Sequence, residues 1–238
     1  MSALITGEWI KTVTTRTLFV YAVIGAALAI GNVLILTLAE DLVTVADKQE
    51  AIAGLPVTLL LFGLVGAASE YRHRTAAPAV LAAGRGRARL LFARACAYAV
   101  IGLAVGALTA AASLALGLPL LGSEPGPGVG SGEIASVATG TIIAAALCAI
   151  MGVAAGALVR NQVVGVVGAL ILMFVVTPLL NLVNETVLEY TPFGAAVVLA
   201  GDPNAVSLSR GGAALVVAAW AAAILLAAIL AEQRRDLA

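Results

Sequence analysis

The sequence predicts an all-α polytopic membrane protein with six transmembrane helices. Three observations carry that prediction. Of 238 residues, 62% are hydrophobic and only 11% are charged, more apolar surface than a water-soluble domain can enclose. Six stretches reach the roughly 20 apolar residues that a helix needs to cross a bilayer; they are 18–39, 51–69, 95–121, 136–159, 163–183 and 212–231. No stretch alternates as barrel strands do, and backbone exposed to lipid must then bond to itself as helix. One transmembrane domain spans 1–238.

Residues 1–16 come first. At 100° per residue, Ile5, Trp9, Ile10 and Val13 gather on one side of a helix, and Gly7, Glu8, Lys11, Thr14 and Thr15 on the other. This predicts an amphipathic helix lying in the membrane interface, with Trp9 at headgroup depth and Lys11 on the polar face. Leu4 and Arg16 break the split, and a plain lead-in to the first span is the alternative. The apolar run 18–39 is longer than the roughly 7–15 residues of a signal peptide's apolar region, so it reads as a span.

The charges between spans set the orientation. With a cytoplasmic N-terminus, only Lys48 and Arg210 of the 13 Lys and Arg fall outside. Acids dominate there: Glu40, Asp41, Asp47, Glu50, Glu124, Glu133, Glu185, Glu189 and Asp202. The excess of bases on the other side places both termini in the cytoplasm. The sparing use of Lys and the abundance of Ala and Gly point to a GC-rich bacterial genome, hence to a bacterial cytoplasmic membrane.

Two outside segments differ in character. Residues 122–132, GSEPGPGVGSG, read as a flexible linker. Residues 191–200, TPFGAAVVLA, are apolar but too short to span. Thr191 suits an N-cap and Pro192 the first helical position. A re-entrant or interfacial helix is expected, with an ordinary folded loop as the alternative.

The longest basic stretch, 70–94, sets Arg72, Arg74, Arg85, Arg87, Arg89 and Arg94 against one acid, Glu70. Between two spans, this island is expected to sit in water, where each arginine adds about 1 kcal/mol of attraction to anionic lipid. Inside it a short helix is legible: Thr75 as N-cap, 76–83 as body with Pro78 in its first turn, and Gly84 as the closing residue. An apolar helix between two basic arms looks like a knob for a protein partner.

The spans carry no clear buried ionisable residue, which argues against an ion-coupled carrier. Their polar residues are mild: Asn32, Thr109, Ser113, Thr139, Thr141, Thr177 and Asn181. These either line a substrate path, for which Asn32, Thr177 and Asn181 are the candidates, or bond neighbouring helices. The pairs Gly102/Gly106 and Gly152/Gly156 allow close helix contact. Cys96 and Cys148 read as small core residues, and His73 has no companion at metal-ligand spacing. No nucleophile–base constellation and no GxxxxGK[ST] loop are present. The chain is therefore not expected to be an enzyme, and any ATP it uses must be bound by another polypeptide.

Three places resemble the ABC-2 type permeases, the membrane subunits of ATP-binding-cassette exporters. They are GEWIKTVTTRT (7–17), SEYRHRT…LAAGRGRARLLFAR (69–94), and VRNQ (159–162) with TPFGAA (191–196) after the fifth span. Two departures are Arg94, where the family often has Lys, and the Gly-Arg-Gly-Arg turn, where it often has Pro. The resemblance implies a permease paired with a second, usually identical, copy and with two ATPase subunits that bind ATP and Mg; this chain itself would bind no cofactor and no nucleic acid. Residues 75–83 would form the coupling helix seated in the ATPase. Glu70, Arg72, Arg74, Thr75, Pro78, Leu81, Gly84, Arg85 and Arg87 would be the coupling residues, with Glu70 near enough to an arginine to pair. The re-entrant gate would include Pro192 and Phe193. The apolar lining suggests an amphipathic or hydrophobic cargo: a drug, a lipid or a peptide. An ion-coupled carrier or channel, and a non-transporting immunity or assembly factor, are the alternatives.

Overall fold

The computed structural model describes residues 2–39, 42–73, 75, 86–201 and 207–234. All regular structure among them is helical. α1 is Ser2–Val13 and α2 Arg16–Ala39; α3 is Val45–Ile52 and α4 Val57–Arg72. α5 is Arg87–Leu121 and α6 Ser131–Val159. α7, Gln162–Ile171, runs through a π-helical turn, Leu172–Val176, into α8, Thr177–Val183. α9 is Glu185–Glu189, α10 Pro192–Ala200 and α11 Arg210–Arg234. Six helical stretches are long and apolar enough to cross a membrane. The chain is a multi-pass membrane protein by length and composition.

The interior is built from the second and fourth spans. α6 packs against α4, α5, α10 and α11, and close approach depends on glycine. A methyl group at Gly102 would stand 2.7 Å from Ala146 Cα, and one at Gly106 2.7 Å from Ala145 Cβ. At Gly156 it would meet the Leu64 carbonyl oxygen at 2.5 Å, and at Gly152 it would run into that of Leu60. The two glycine pairs thus set α6 against α5 on one side and against α4 on the other. Phe62, Ile101, Met151 and Val217 fill the space between. The fifth span lies at the outside of the bundle, with Val163, Val164, Phe174 and Leu182 exposed.

The expected second span is interrupted. α3 ends at Ile52 and α4 begins at Val57, because Gly54 is a weak helix former and Pro56 disfavours helix in the residue before it. A break inside a bundle frees carbonyls that must find donors. Asn32 Nδ2 donates to the Glu50 and Ala51 carbonyls, each at 3.2 Å, and Ser113 Oγ donates to that of Ile52 at 3.0 Å. Thr141, fully buried, accepts from Gly54 N at 3.2 Å and donates to the Ala200 carbonyl at 3.1 Å. Three mild polar residues of the spans therefore bond neighbouring backbone.

The fifth span carries its own irregularity. Pro178 has no N–H, and its ring crowds the carbonyl four residues back. The helix widens into the π turn just before it, and Thr177 Oγ1 donates to the Leu172 carbonyl at 2.8 Å. α10 starts as expected: Thr191 Oγ1 accepts from Gly194 N at 3.0 Å and Pro192 opens the helix. Its N-terminus lies beside Leu64, Met151 and Leu172, and its C-terminus beside Thr141. Nine residues span about 14 Å, so α10 runs along α6 from its middle toward its beginning. It is buried there through Phe193, Ala195, Ala196, Leu199 and Ala200.

Candidate functional site: a charged junction at one end of the bundle

α5 begins at Arg87, well before the expected start of the third span. The added turns carry Arg87, Arg89 and Arg94 on a helix. Arg94 is only 5% exposed, and so is Glu70 in the last turn of α4. The expectation that this basic island sits in water is corrected for these two residues. Hydropathy ends a span at a charge, but a charge whose partner is delivered by another helix can fold into the bundle.

The partners converge from three elements. Arg94 Nε donates to Glu8 Oε2 at 3.0 Å and Arg94 Nη2 to Glu70 Oε2. Lys11 Nζ bridges the same two carboxylates, reaching Glu8 Oε2 at 3.5 Å and pairing closely with Glu70 Oε1. Two cations and two carboxylates make a neutral cluster, which is how such groups tolerate burial. Burial alone pushes the Glu8 pKa upward, but Arg94 and Lys11 overcome it and hold the carboxyl below its ordinary value. The cluster joins α1, the end of α4 and the start of α5.

This contact orients α1. Glu8 and Thr12 are buried, whereas Ile10 and Val13 are exposed. Of the polar side read from the sequence only Glu8 turns to the protein; Gly7, Lys11, Thr14 and Thr15 are exposed. Trp9 is half-buried against the core.

A second network leaves the same turn of α4 on its other side. Tyr71 donates its hydroxyl to Glu232 near the end of α11. Arg160, the αL residue that closes α6, donates Nη2 to Glu232 Oε1 at 2.9 Å and lies 4.9 Å over the Tyr71 ring. Arg87 Nη1 donates to the Glu232 carbonyl at 3.5 Å. Glu70 and Tyr71, neighbours about 100° apart on a helix, thus tie α1 and α5 to one flank of α4 and the α6–α7 turn and α11 to the other. Between α1, α4 and α5 lies a cleft of about 380 Å³, lined by Lys11, Thr12, Ser69, Glu70, His73 and Tyr98.

At the opposite end Lys48, read as a loop base, is also buried and donates to the Glu124 carbonyl at 3.3 Å. Arg210 reaches Gln49 Oε1 at 2.7 Å and bonds Ser136. No buried Asp, Glu, Lys or Arg falls inside the expected spans, but the helices run past them, and Lys48, Glu70, Arg94 and Glu232 are buried in the added turns.

The coupling residues expected from the resemblance divide. Thr75 N and Oγ1 both donate to the Glu70 carbonyl, at 2.9 and 3.4 Å, and Arg72 Nη1 reaches Gln162 Oε1 at 3.5 Å. Arg74, Pro78, Leu81, Gly84 and Arg85, with the rest of the expected helix after Thr75, lie outside the described residues. Of the path candidates, Asn32 and Thr177 bond backbone as above, and Asn181 lies in α8. Pro192 and the buried Phe193 open α10. The sequence offered Arg160 only as the base of the VRNQ turn and Glu232 only as an acid ending an apolar run, and neither was expected to pair.

No known protein-family model matches the chain, and no curated protein matches it.

Proposed function

We propose that this chain is the membrane-spanning permease subunit of an ABC-2 type exporter in a bacterial cytoplasmic membrane, with both termini in the cytoplasm. It works as a pair of copies with two ATPase subunits that carry the ATP and Mg, and it moves an amphipathic or hydrophobic cargo by alternating access. The observation that carries this reading is the ion cluster in which Arg94 joins Glu8 of α1 to Glu70 of α4. It lies where the basic stretch meets both of its spans. A push on residues 75–83 from an ATPase would reach α1, α4 and α5 together, because breaking a buried ion pair is costly. α1 then serves as the interface helix. α10, entering mid-bundle and leaving toward the start of α6, serves as the re-entrant outer gate.

The test is co-purification of the tagged chain with the ATPase encoded beside it, followed by vesicle transport. Alanine replacements across 75–83 should abolish ATPase association while leaving the chain folded. Arg94→Lys should keep association but lower cargo-stimulated ATP hydrolysis. Association unchanged in every 75–83 variant would overturn the coupling assignment. Transport by the chain alone on a pH or sodium gradient would overturn the exporter reading.

A further inference from the structure

The cleft between α1, α4 and α5 is graded from charge to hydrocarbon. Phe62, Val65, Ser69 and Arg72 line it at helical spacing, so they share one face of α4. They mark about 15 Å of its wall. At the floor Phe62 and Tyr98 are buried; at the rim Lys11 and Arg72 are exposed. Arg72 is the last residue of the second spanning helix, and Thr17, which also lines the cleft, is the second residue of the first. Two spans end at this level, which puts the rim at headgroup depth and the floor at the depth of acyl chains.

The charges at the rim do not cancel. Glu8 and Glu70 are matched by Lys11 and Arg94, and both oxygens of Glu70 are taken, Oε1 by Lys11 and Oε2 by Arg94. Arg72 is a further positive charge. Among the described residues it bonds the Gln162 amide oxygen at 3.5 Å and pairs with no carboxylate. Residues 71–94 contain no acid. Arginine offers five N–H donors in a planar fork that matches phosphate. Lys11 has three, of which Glu8 and Glu70 use two.

We propose that this cleft binds the headgroup of an anionic phospholipid, with its phosphodiester beside Arg72 and Lys11 and its glycerol end against Val65 and Phe62. One surplus cation matches the single negative charge of such a diester. A choline headgroup would bring a second cation to the same place. The polar rim holds the phosphate by charge-assisted hydrogen bonds, and the apolar floor gives the ester end of the lipid a surface that a free phosphate would not use. The proposal needs the cleft and a membrane location but no ATPase, so its failure would leave the exporter reading untouched.

Short-chain lipids give a direct probe. The full chain, purified in a neutral detergent, is titrated with dihexanoyl phosphatidylglycerol, and the bound lipid is counted by native mass spectrometry. Parallel titrations use dihexanoyl phosphatidylcholine, which adds a cation to the same diester, and glycerophosphoglycerol, which is the same diester without acyl chains. Wild type should bind phosphatidylglycerol more tightly than either. Arg72→Gln should weaken that binding about tenfold or more, and Arg72→Lys should retain it. Arg16→Gln removes an exposed base at the same end that does not line the cleft, and it should leave binding unchanged. Phosphatidylglycerol bound equally by wild type and Arg72→Gln overturns the cleft as the site. An equal loss in Arg16→Gln would show general surface attraction only and overturn it too. Phosphatidylcholine bound as tightly as phosphatidylglycerol by wild type overturns the charge argument without recourse to any variant. Glycerophosphoglycerol bound as tightly as the lipid would make the ligand a soluble phosphodiester and overturn the lipid as occupant.

Discussion

Arg94 Nε lies 3.0 Å from Glu8 Oε2 although the two residues are 86 positions apart in the chain. Both are buried, and the contact fixes which face of α1 meets the bundle. A carboxylate on a helix beside a bundle can turn inward when it finds counter-charges there. Here the counter-charge comes from the first turns of α5. Glu70 completes it, so three elements distant in sequence share one neutral cluster.

Removing one member of that cluster should cost more than removing a surface charge. Arg94→Ala leaves Glu8 and Glu70 buried with only the half-exposed Lys11 between them. Breaking a buried pair in this way costs about 3–5 kcal/mol. Thermal unfolding in detergent should show a large drop for Arg94→Ala. Arg94→Met with Glu8→Gln and Glu70→Gln should recover part of it, because no uncompensated carboxylate remains. A triple variant no more stable than Arg94→Ala would contradict this account.

The lowered pKa of Glu8 gives the cluster a pH signature. The folded value lies below the unfolded one, so the ionised carboxylate stabilises the fold. That contribution is complete above the ordinary Glu value of about 4.3. It is lost as pH falls through the lower folded value. The stability gap between wild type and Glu8→Gln should therefore hold steady from about pH 7 to about pH 5 and close only in stronger acid. Melting temperatures of both proteins across that range check it; a gap that closes near neutrality would contradict it.

The six-span plan was legible because hydropathy and length report burial in lipid directly. The span boundaries were less so. Glu70, Arg94 and Glu232 look like loop residues to any reading that weighs each position alone. They are buried because a partner arrives from elsewhere, and sequence order does not show which partner. The break at residues 53–56 had local signs, Gly54 and Pro56, but the apolar run through them concealed it. The expected cap of α10 was readable from Thr191 and Pro192 alone, because caps are local chemistry.

The donors at the break should matter for stability. Thr141→Val keeps the shape but takes away the acceptor for Gly54 N and the donor for the Ala200 carbonyl. Unsatisfied buried groups cost about 1–3 kcal/mol each. Thr141→Val should lower the unfolding temperature distinctly, and Thr141→Ser, which keeps the hydroxyl, should lower it less. Equal losses would assign the role of Thr141 to its methyl group.

Glycine substitutions should divide by what lies beyond the missing side chain. A Cβ at Gly152 would enter the Leu60 carbonyl oxygen. That atom belongs to the backbone of α4 and cannot swing away, so α4 and α6 must separate. Overpacking of this kind costs about 1–3 kcal/mol, and Gly152→Ala should destabilise accordingly. Gly31 lies within α2 with nothing within 4 Å of its Cβ position. There Ala removes only backbone freedom from the unfolded chain, and Gly31→Ala should gain about 0.5–1 kcal/mol. Opposite shifts in detergent melting temperature for these two substitutions would show that α6 owes its place between α4 and α5 to the missing methyl groups. If Gly152→Ala melted with wild type, the helices could be held apart at no cost, and another feature would have to set their spacing.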